Sequence, residues 1–372
     1  MSDSSQIPSL ELHQLKVLSA LGRGAKGVVF LVRDESSTGE LFALKTTLKP
    51  KKLEHKHISF EQEVLRLSQH PLLPKLSGVL STEKILGYAI DYCPGRDLNY
   101  LRKKQTEMMF SDGVIRFYAA ELVIALEYLH QLGVVYRDLK PENVMIQENG
   151  HLMLVDFDLS TKLPPKPSSP QNTPVFKSNR STNTNIFSFL SRCCRRNISS
   201  EDSVHPSHET HSFSKSNSFV GTEEYIAPEM LTGTGHDFSV DWWCLGIVLH
   251  EMLYGKTPFK GFNRKETFRR IMTYSPELVG EPTPLRDLIR KLLVKDPKRR
   301  ISTVEIKGHD FFRGVDWENV MEIARPPFVP GPSDEKGMDV NKIDIEAFVQ
   351  GVFEVKVDVD VQEDESHGFL IF

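Results

Sequence analysis

Tyr136-Arg137-Asp138-Leu139-Lys140-Pro141-Glu142-Asn143, with Asp156-Phe157-Asp158 starting thirteen residues after the asparagine, decides how this chain is read. An acid, an amide and a second acid at this separation suit a loop that sets a proton acceptor beside oxygen ligands for divalent cations. In phosphoryl transfer the first carboxylate accepts the proton of the attacking hydroxyl, while the amide and the second carboxylate hold the cations that neutralise the phosphates. Those roles fall on Asp138, Asn143 and Asp156, and Lys140 is close enough to offset charge on the transferred group. The expected metal is magnesium, which prefers a few protein oxygens with phosphate and water. The thirteen histidines include no recognisable chelating pair, in keeping with that choice.

Working outward, Leu21-Gly22-Arg23-Gly24-Ala25-Lys26-Gly27-Val28-Val29 is a glycine loop whose missing Cβ atoms let backbone amides approach phosphate oxygens. Alone it is a weak signal, because plain hairpins carry similar glycines. Ala43-Leu44-Lys45 strengthens it, since a lysine after this hairpin can reach the α- and β-phosphates of a nucleotide if a carboxylate fixes it. Glu61 and Glu63 stand on the next predicted helix but point to opposite sides, so one of them can serve; the distance of Glu61 from His70-Pro71 favours it, and Glu63 reads as solvated. The backbone of Asp91 and Cys93 is expected to bind the adenine edge, with Ile90 walling the pocket behind it. Asp97 has two readings, acceptor for a ribose hydroxyl or cap of a helix.

The chain has 372 residues, 39% of them hydrophobic, enough for more than one folding unit. A formal charge of −4 gives no global attraction to nucleic acid or anionic lipid. Its four cysteines are too few and too unevenly spaced for a disulfide scaffold, and the adjacent Cys193 and Cys194 fit no chelate. The segment Met1 to Pro8 lacks the basic and apolar regions of a secretion signal, so the product is expected inside the cell, in the cytoplasm.

Strand-like residues run from Val17 to Val32, Leu41 to Thr47 and Ile85 to Tyr92, with helical spacing in Glu61 to Ser68. Beyond Cys93-Pro94-Gly95 the pattern becomes helical: Val114 to His130, Trp242 to Tyr254 and Leu285 to Val294. This predicts an α+β, two-lobed architecture, with an extension over 1–14, a small β-rich lobe over 15–92, a larger helical lobe over 93–312 and a tail over 313–372. Residues 160–215 turn rich in Ser, Pro, Asn and Thr and read as a disordered insertion. Within it, the apolar and basic run from Ile186 to Arg196 suggests either nuclear or peripheral membrane targeting or a plain tether.

From about Leu15 to Phe312 these motifs resemble the bilobal eukaryotic protein kinases, and more narrowly the AGC group. Tyr136 before Arg137-Asp138, the run Ser218-Phe219-Val220-Gly221-Thr222 ahead of Ala227-Pro228-Glu229, and the terminal Phe369-Leu370-Ile371-Phe372 carry that narrowing. Asp158 in place of the usual glycine, followed by a long insertion, is similar to the plant-specific AGC subgroup. The resemblance implies transfer of the γ-phosphoryl group of ATP, with Mg2+, to protein Ser/Thr hydroxyls. It implies that Ser218 is the activating phosphorylation position, able to pair with Arg137, and that Thr222 braces Asp138 and Lys140. It implies structural roles for Asp241 and for a Glu229–Arg300 ion pair. Asp97, Glu142 and Glu251 match positions that surround basic residues upstream of the acceptor. Phe369 and Phe372 match the hydrophobic motif, which docks on a small lobe, either within the chain or on a phosphoinositide-dependent upstream kinase. Stress or defence signalling in plants follows from the subgroup alone. The competing class is a pseudokinase scaffold or a nucleotide-regulated adaptor, kept alive by Asp158.

Overall fold

The computed structural model describes residues 7–24, 27–36, 39–49, 55–163, 223–233, 235–322, 326–330, 343–354 and 370–371. Its first strands are Ser9–Leu10 (β1), Leu15–Arg23 (β2), Val28–Asp34 (β3) and Leu41–Leu48 (β4). Helix α1 (His55–Leu67) and strands β5 (Leu76–Ser81) and β6 (Ile85–Asp91) follow. The glycine loop closes with Gly24 N–H donating to Gly27 O at 2.8 Å. At Gly27 a Cβ would stand 2.6 Å from the Thr46 carbonyl oxygen, so the neighbouring strand leaves room for glycine alone. Helix α1 begins six residues before the predicted Glu61, its first turn taken from the end of the basic run, where no proline or glycine interrupts it.

Register decides which side chains meet a ligand. Val29 lies opposite Lys45, Leu31 opposite Ala43, Ala43 opposite Ile90 and Lys45 opposite Tyr88, and directly opposed residues share a sheet face. The other face carries Val28, Phe30, Val32, Leu44 and Ala89, which form a separate buried cluster.

The larger lobe continues with α2 (Leu98–Lys103), α3 (Asp112–Gln131), β7 (Val134–Val135), β8 (Val144–Ile146), β9 (Leu152–Leu154) and β10 (Thr161–Lys162). Helices α4 (Pro228–Thr232), α5 (Ser239–Tyr254), α6 (Arg264–Thr273), α7 (Pro284–Leu292) and α8 (Thr303–Lys307) complete it. Helix α5 is buried over nearly its whole length, as its all-round apolar sequence requires, and packs on α3 and α7. Strands β8 and β9 pair as a hairpin below the cleft, and the loop between β7 and β8 carries Asp138 to Asn143.

The tail contributes α9 (Ile345–Glu354) and a two-residue strand β11 (Leu370–Ile371). Ile345 and Val349 are buried against the Val28–Phe30–Val32 face, and the Phe348 ring meets Phe30 edge-on at 5.5 Å. The seven-stranded sheet of the small lobe runs β1-β5-β6-β4-β3-β2-β11. Two predicted boundaries move. Residues 9–10 pair with Val79 and Leu80, so the small lobe starts within the supposed extension. Thr161 and Lys162 pair with Val135 and Val134, so the insertion placed from 160 starts later, because strand pairing overrides composition there. Among the described residues no helix is long and apolar enough to cross a membrane.

Candidate active site

Strand β4 delivers Lys45 to the cleft face, where its ammonium lies 3.0 Å from Glu61 Oε1 and 3.0 Å from Asp156 Oδ1. Glu61, 3% exposed, also accepts the Phe157 amide proton at 3.2 Å and hydrogen-bonds the Tyr88 hydroxyl. Glu63 is half exposed and stands 3.8 Å from Lys162, which follows from the opposed directions of two residues separated by two positions on a helix. Burial pushes the Glu61 carboxyl up to about 7, against the pull of the Lys45 ammonium. Burial pulls the Lys45 ammonium down, yet the carboxylates of Asp156 and Glu61 outweigh it and hold the lysine well above its usual range.

The catalytic loop is pinned from below. Asp241, fully buried on α5, accepts the amide protons of Tyr136 at 2.9 Å and Arg137 at 2.7 Å and contacts His130 Nε2 at 2.7 Å. Arg137 consequently holds φ 69°, a left-handed conformation that a non-glycine residue keeps only when its surroundings fix it. Above it, Asp138 Oδ2 accepts from Lys140 Nζ at 3.0 Å and from Asn143 Nδ2 at 2.9 Å. Burial raises the Asp138 carboxyl above its usual range against the pull of Lys140, which makes it a stronger acceptor for the proton of a nearby hydroxyl. Tyr136 donates to the Val155 carbonyl at 2.5 Å and meets Phe157 edge-on at 5.6 Å, tying the base loop to the metal-binding turn.

At that turn the strained residue is Asp156, with φ 61°. Asp158 is absent from the left-handed residues, so replacing glycine there costs no backbone strain. The Asn143 side chain is fully buried and its Oδ1 has no partner among the described residues. A buried acceptor left unsatisfied beside two carboxylates fits a hard divalent cation bound through oxygen.

Several predicted ligand residues look elsewhere. Val28 belongs to the buried face away from Lys45, and Arg23 points with it: Nη2 donates to Val352 O at 2.9 Å and the guanidinium lies over Phe353. The alternation of a strand explains both, since a contiguous motif read as one surface has two. Gly22 and Val29 are directly opposed on the cleft face. Leu21, in the same strand, lies beside a register shift between Ala20 and Gly22. Asp91 turns its carboxylate to the Lys75 amide at 2.8 Å, and the buried Cys93 thiol contacts Met153, so both can serve the adenine edge through backbone alone. Asp97 is buried and caps α2 by accepting the Tyr100 amide proton at 2.8 Å, the second of its two sequence readings. Glu229 and Arg300 form a bidentate pair at 2.6 and 3.0 Å, both buried. Ala25, Lys26, Ser218, Thr222, Phe369, Phe372 and the Cys193-Cys194 pair lie outside the described residues. Sequence reasoning missed Tyr88, whose direct opposition to Lys45 is a matter of register, and missed the docking residues of α9.

The protein kinase domain family matches residues 15–188 and 205–312. The chain belongs to the protein kinase family. Among its relatives, serine/threonine-protein kinase OXI1 of Arabidopsis thaliana is 56% identical over 98% of this chain and 91% of its own length. Serine/threonine-protein kinase UCN of the same plant is 46% identical over 88% of this chain and 87% of its own. Phototropin-2 of Oryza sativa subsp. japonica is 40% identical over 85% of this chain and 34% of its own. The kinase is thus a serine/threonine enzyme of the AGC type, and its β-sheet and helical lobes are those expected of the fold.

Proposed function

We propose that this kinase transfers the γ-phosphoryl group of ATP to Ser/Thr hydroxyls of proteins with basic residues upstream of the acceptor. The observation that carries the reading is the shared cleft in which Lys45, held by Glu61 and Asp156, faces the loop bearing Asp138, Lys140 and Asn143. Backbone amides of the Gly22–Gly27 loop and the Lys45 ammonium hold the phosphates, and the backbone at Asp91 and Cys93 holds the adenine. Asp138 accepts the hydroxyl proton as the substrate oxygen attacks, Lys140 offsets charge on the moving phosphoryl group, and Thr222 braces both. Asn143 and Asp156 would hold Mg2+, which when bound supplies charge neutralisation on the phosphates. A radiolabel transfer assay on the full chain tests this: Asp138→Asn should lower kcat by several orders of magnitude while nucleotide binding persists. Equal turnover in the variant would overturn it.

Regulation belongs to the same proposal. Phosphorylation of Ser218 orders the activation segment through Arg137, whose guanidinium is held by the carbonyls of Leu159 at 2.5 Å and Ser160 at 3.5 Å before any phosphate arrives. A phosphoinositide-dependent upstream kinase, recruited by Phe369 and Phe372, places that phosphate; burying two such rings contributes about 3–6 kcal/mol before ordering costs. Phe369→Ala with Phe372→Ala should lower Ser218 phosphorylation by the recombinant upstream kinase. The kinase is placed in the cytoplasm, and the run Ile186 to Arg196 either directs it to nucleus or membrane periphery or is a plain tether; a changed distribution of a fluorescent fusion on its deletion would select targeting, and an unaltered one the tether. Plant stress or defence signalling is the setting we assign, on the resemblance to the plant-specific AGC subgroup carried by Asp158 and the insertion after it.

A further inference from the structure

Among the described residues that face Lys45, Asp158 is the acid that the phosphoryl-transfer scheme leaves without a task. Its carboxylate lies 3.7 Å from Lys45 Nζ, and one oxygen each from Glu61, Asp156 and Asp158 falls within 4.8 Å of the others. A single ammonium against three carboxylates leaves an excess of negative charge in a half-buried space. Acidic groups gather for many reasons, but a second feature of this cleft points to a ligand. Asn143 spends its Nδ2 on the Asp138 carboxylate and carbonyl, both at 2.9 Å, which fixes the amide and leaves Oδ1 buried with no partner among the described residues. The Asn143 backbone carbonyl, a different oxygen, accepts the Val155 amide proton at 3.0 Å, so the residue that carries the orphan Oδ1 is bonded to the residue just before Asp156.

We propose that Asp158 is an additional oxygen ligand of the divalent-cation site formed by Asn143 and Asp156, and that it raises the site's affinity for the cation. In the cation-free protein it serves as a third counter-ion of Lys45, and it exchanges that ammonium for the cation when the nucleotide complex binds. Each added carboxylate tightens a hard-cation site through charge count. As the second carboxylate of the site, Asp158 adds a ligand whose position is set by the turn and not by the cation, and Mg2+ demands near-ideal octahedral placement, so Mn2+ gains more than Mg2+. Glycine at this position has no side-chain oxygen to offer. The inference rests on the proposed role of Asn143 and Asp156 as cation ligands, and the test separates the two.

The test titrates Mn2+ into the full-length chain with a non-hydrolysable ATP analogue and follows free Mn2+ by electron paramagnetic resonance. Asp158→Gly should weaken the tightest Mn2+ binding about tenfold, and Asp158→Asn should weaken it less, because a neutral carbonyl remains. Competition with Mg2+ should show a smaller loss. Asp156→Asn supplies the reference, with a larger loss than either. If Asp156→Asn weakens binding while both Asp158 variants at wild-type melting temperature bind Mn2+ as the parent does, the role given to Asp158 is overturned and the Asn143–Asp156 site stands. If none of the three changes binding, both are overturned. Altered affinity for cation-free nucleotide with unchanged Mn2+ binding would make Asp158 a partner of Lys45 alone, and would also overturn the proposal.

Discussion

Asp241 Oδ1 accepts the amide proton of Arg137 at 2.7 Å across the interface between α5 and the catalytic loop. Its other oxygen takes the Tyr136 amide at 2.9 Å, so one buried carboxylate satisfies two consecutive backbone donors and holds φ 69° at Arg137. Asp241→Ala strands both donors in a dry site, each at a cost of about 1–3 kcal/mol. The expected outcome is a loss of about 2–5 kcal/mol in chemical denaturation. A kcat loss should exceed any rise in KM for ATP, because the loop carrying Asp138 is displaced and the nucleotide-binding face of the sheet is not. Wild-type kcat in a stably folded Asp241→Ala would disprove the anchoring role.

Glu61 gives the site a pH dependence. Its carboxyl is raised to about 7, chiefly by burial, while Lys45 stays protonated far above that range. The ionised form of Glu61 positions Lys45 for phosphate, so lowering the pH through about 7 adds a proton to Glu61 and weakens the tether. Affinity for a non-hydrolysable nucleotide should fall several-fold from pH 8 to pH 6, after correction for titration of the nucleotide itself. Glu61→Gln should bind weakly throughout and lose that dependence. A pH profile identical in wild type and variant would remove Glu61 as its source.

The residues whose spacing is dictated by phosphate and cation chemistry were legible in sequence; helix geometry allowed only one of Glu61 and Glu63 to serve, and the distance to His70-Pro71 favoured Glu61. What stayed hidden depends on pairing. Strand parity turns Arg23 and Val28 away from the nucleotide, and no motif records which face of β2 or β3 meets the cleft. Strand β1 has two residues, too few to show any period, and β10 sits where Ser and Pro dominate the composition. Helix α9 did leave a signal: Ile345, Phe348, Val349, Val352 and Phe353 recur at helical spacing, but the terminal Phe pair drew the docking assignment.

That helix supplies a third prediction. Val349 is fully buried among Ile345, Phe30, Val32 and Leu44, and Thr82 Oγ1 donates to Glu346 at 2.5 Å nearby. Val349→Asp places an unpaired carboxylate in this cluster, which the docked helix cannot accommodate. Hydrogen exchange should show Ile345–Glu354 losing protection, while Ser239–Tyr254 in the larger lobe keeps it. Unchanged protection of α9 would mean that this face does not hold the tail.

The three acids expected to read basic residues upstream of the acceptor are not equivalent. Glu251 Oε1 is 3.0 Å from Arg102 Nη2, and its Oε2 accepts the Tyr225 hydroxyl, so an arginine of the chain itself already answers its charge. Asp97 is committed to capping α2. Glu142 accepts from Asn99 Nδ2 at 2.8 Å through Oε1, but its Oε2 is buried with no partner among the described residues, and burial raises its carboxyl. An arriving guanidinium would satisfy that oxygen with a charge-assisted hydrogen bond of about 1.5–3 kcal/mol, enough for tenfold discrimination or more. Glu142→Gln should therefore cut the kcat/KM ratio between paired peptides with upstream Arg and upstream Ala by about tenfold. Glu251→Gln should leave most of that ratio intact and lower the melting temperature instead, because it leaves the buried Arg102 without its counter-ion. Equal loss of selectivity in the two variants would show that Arg102 yields Glu251 to the substrate.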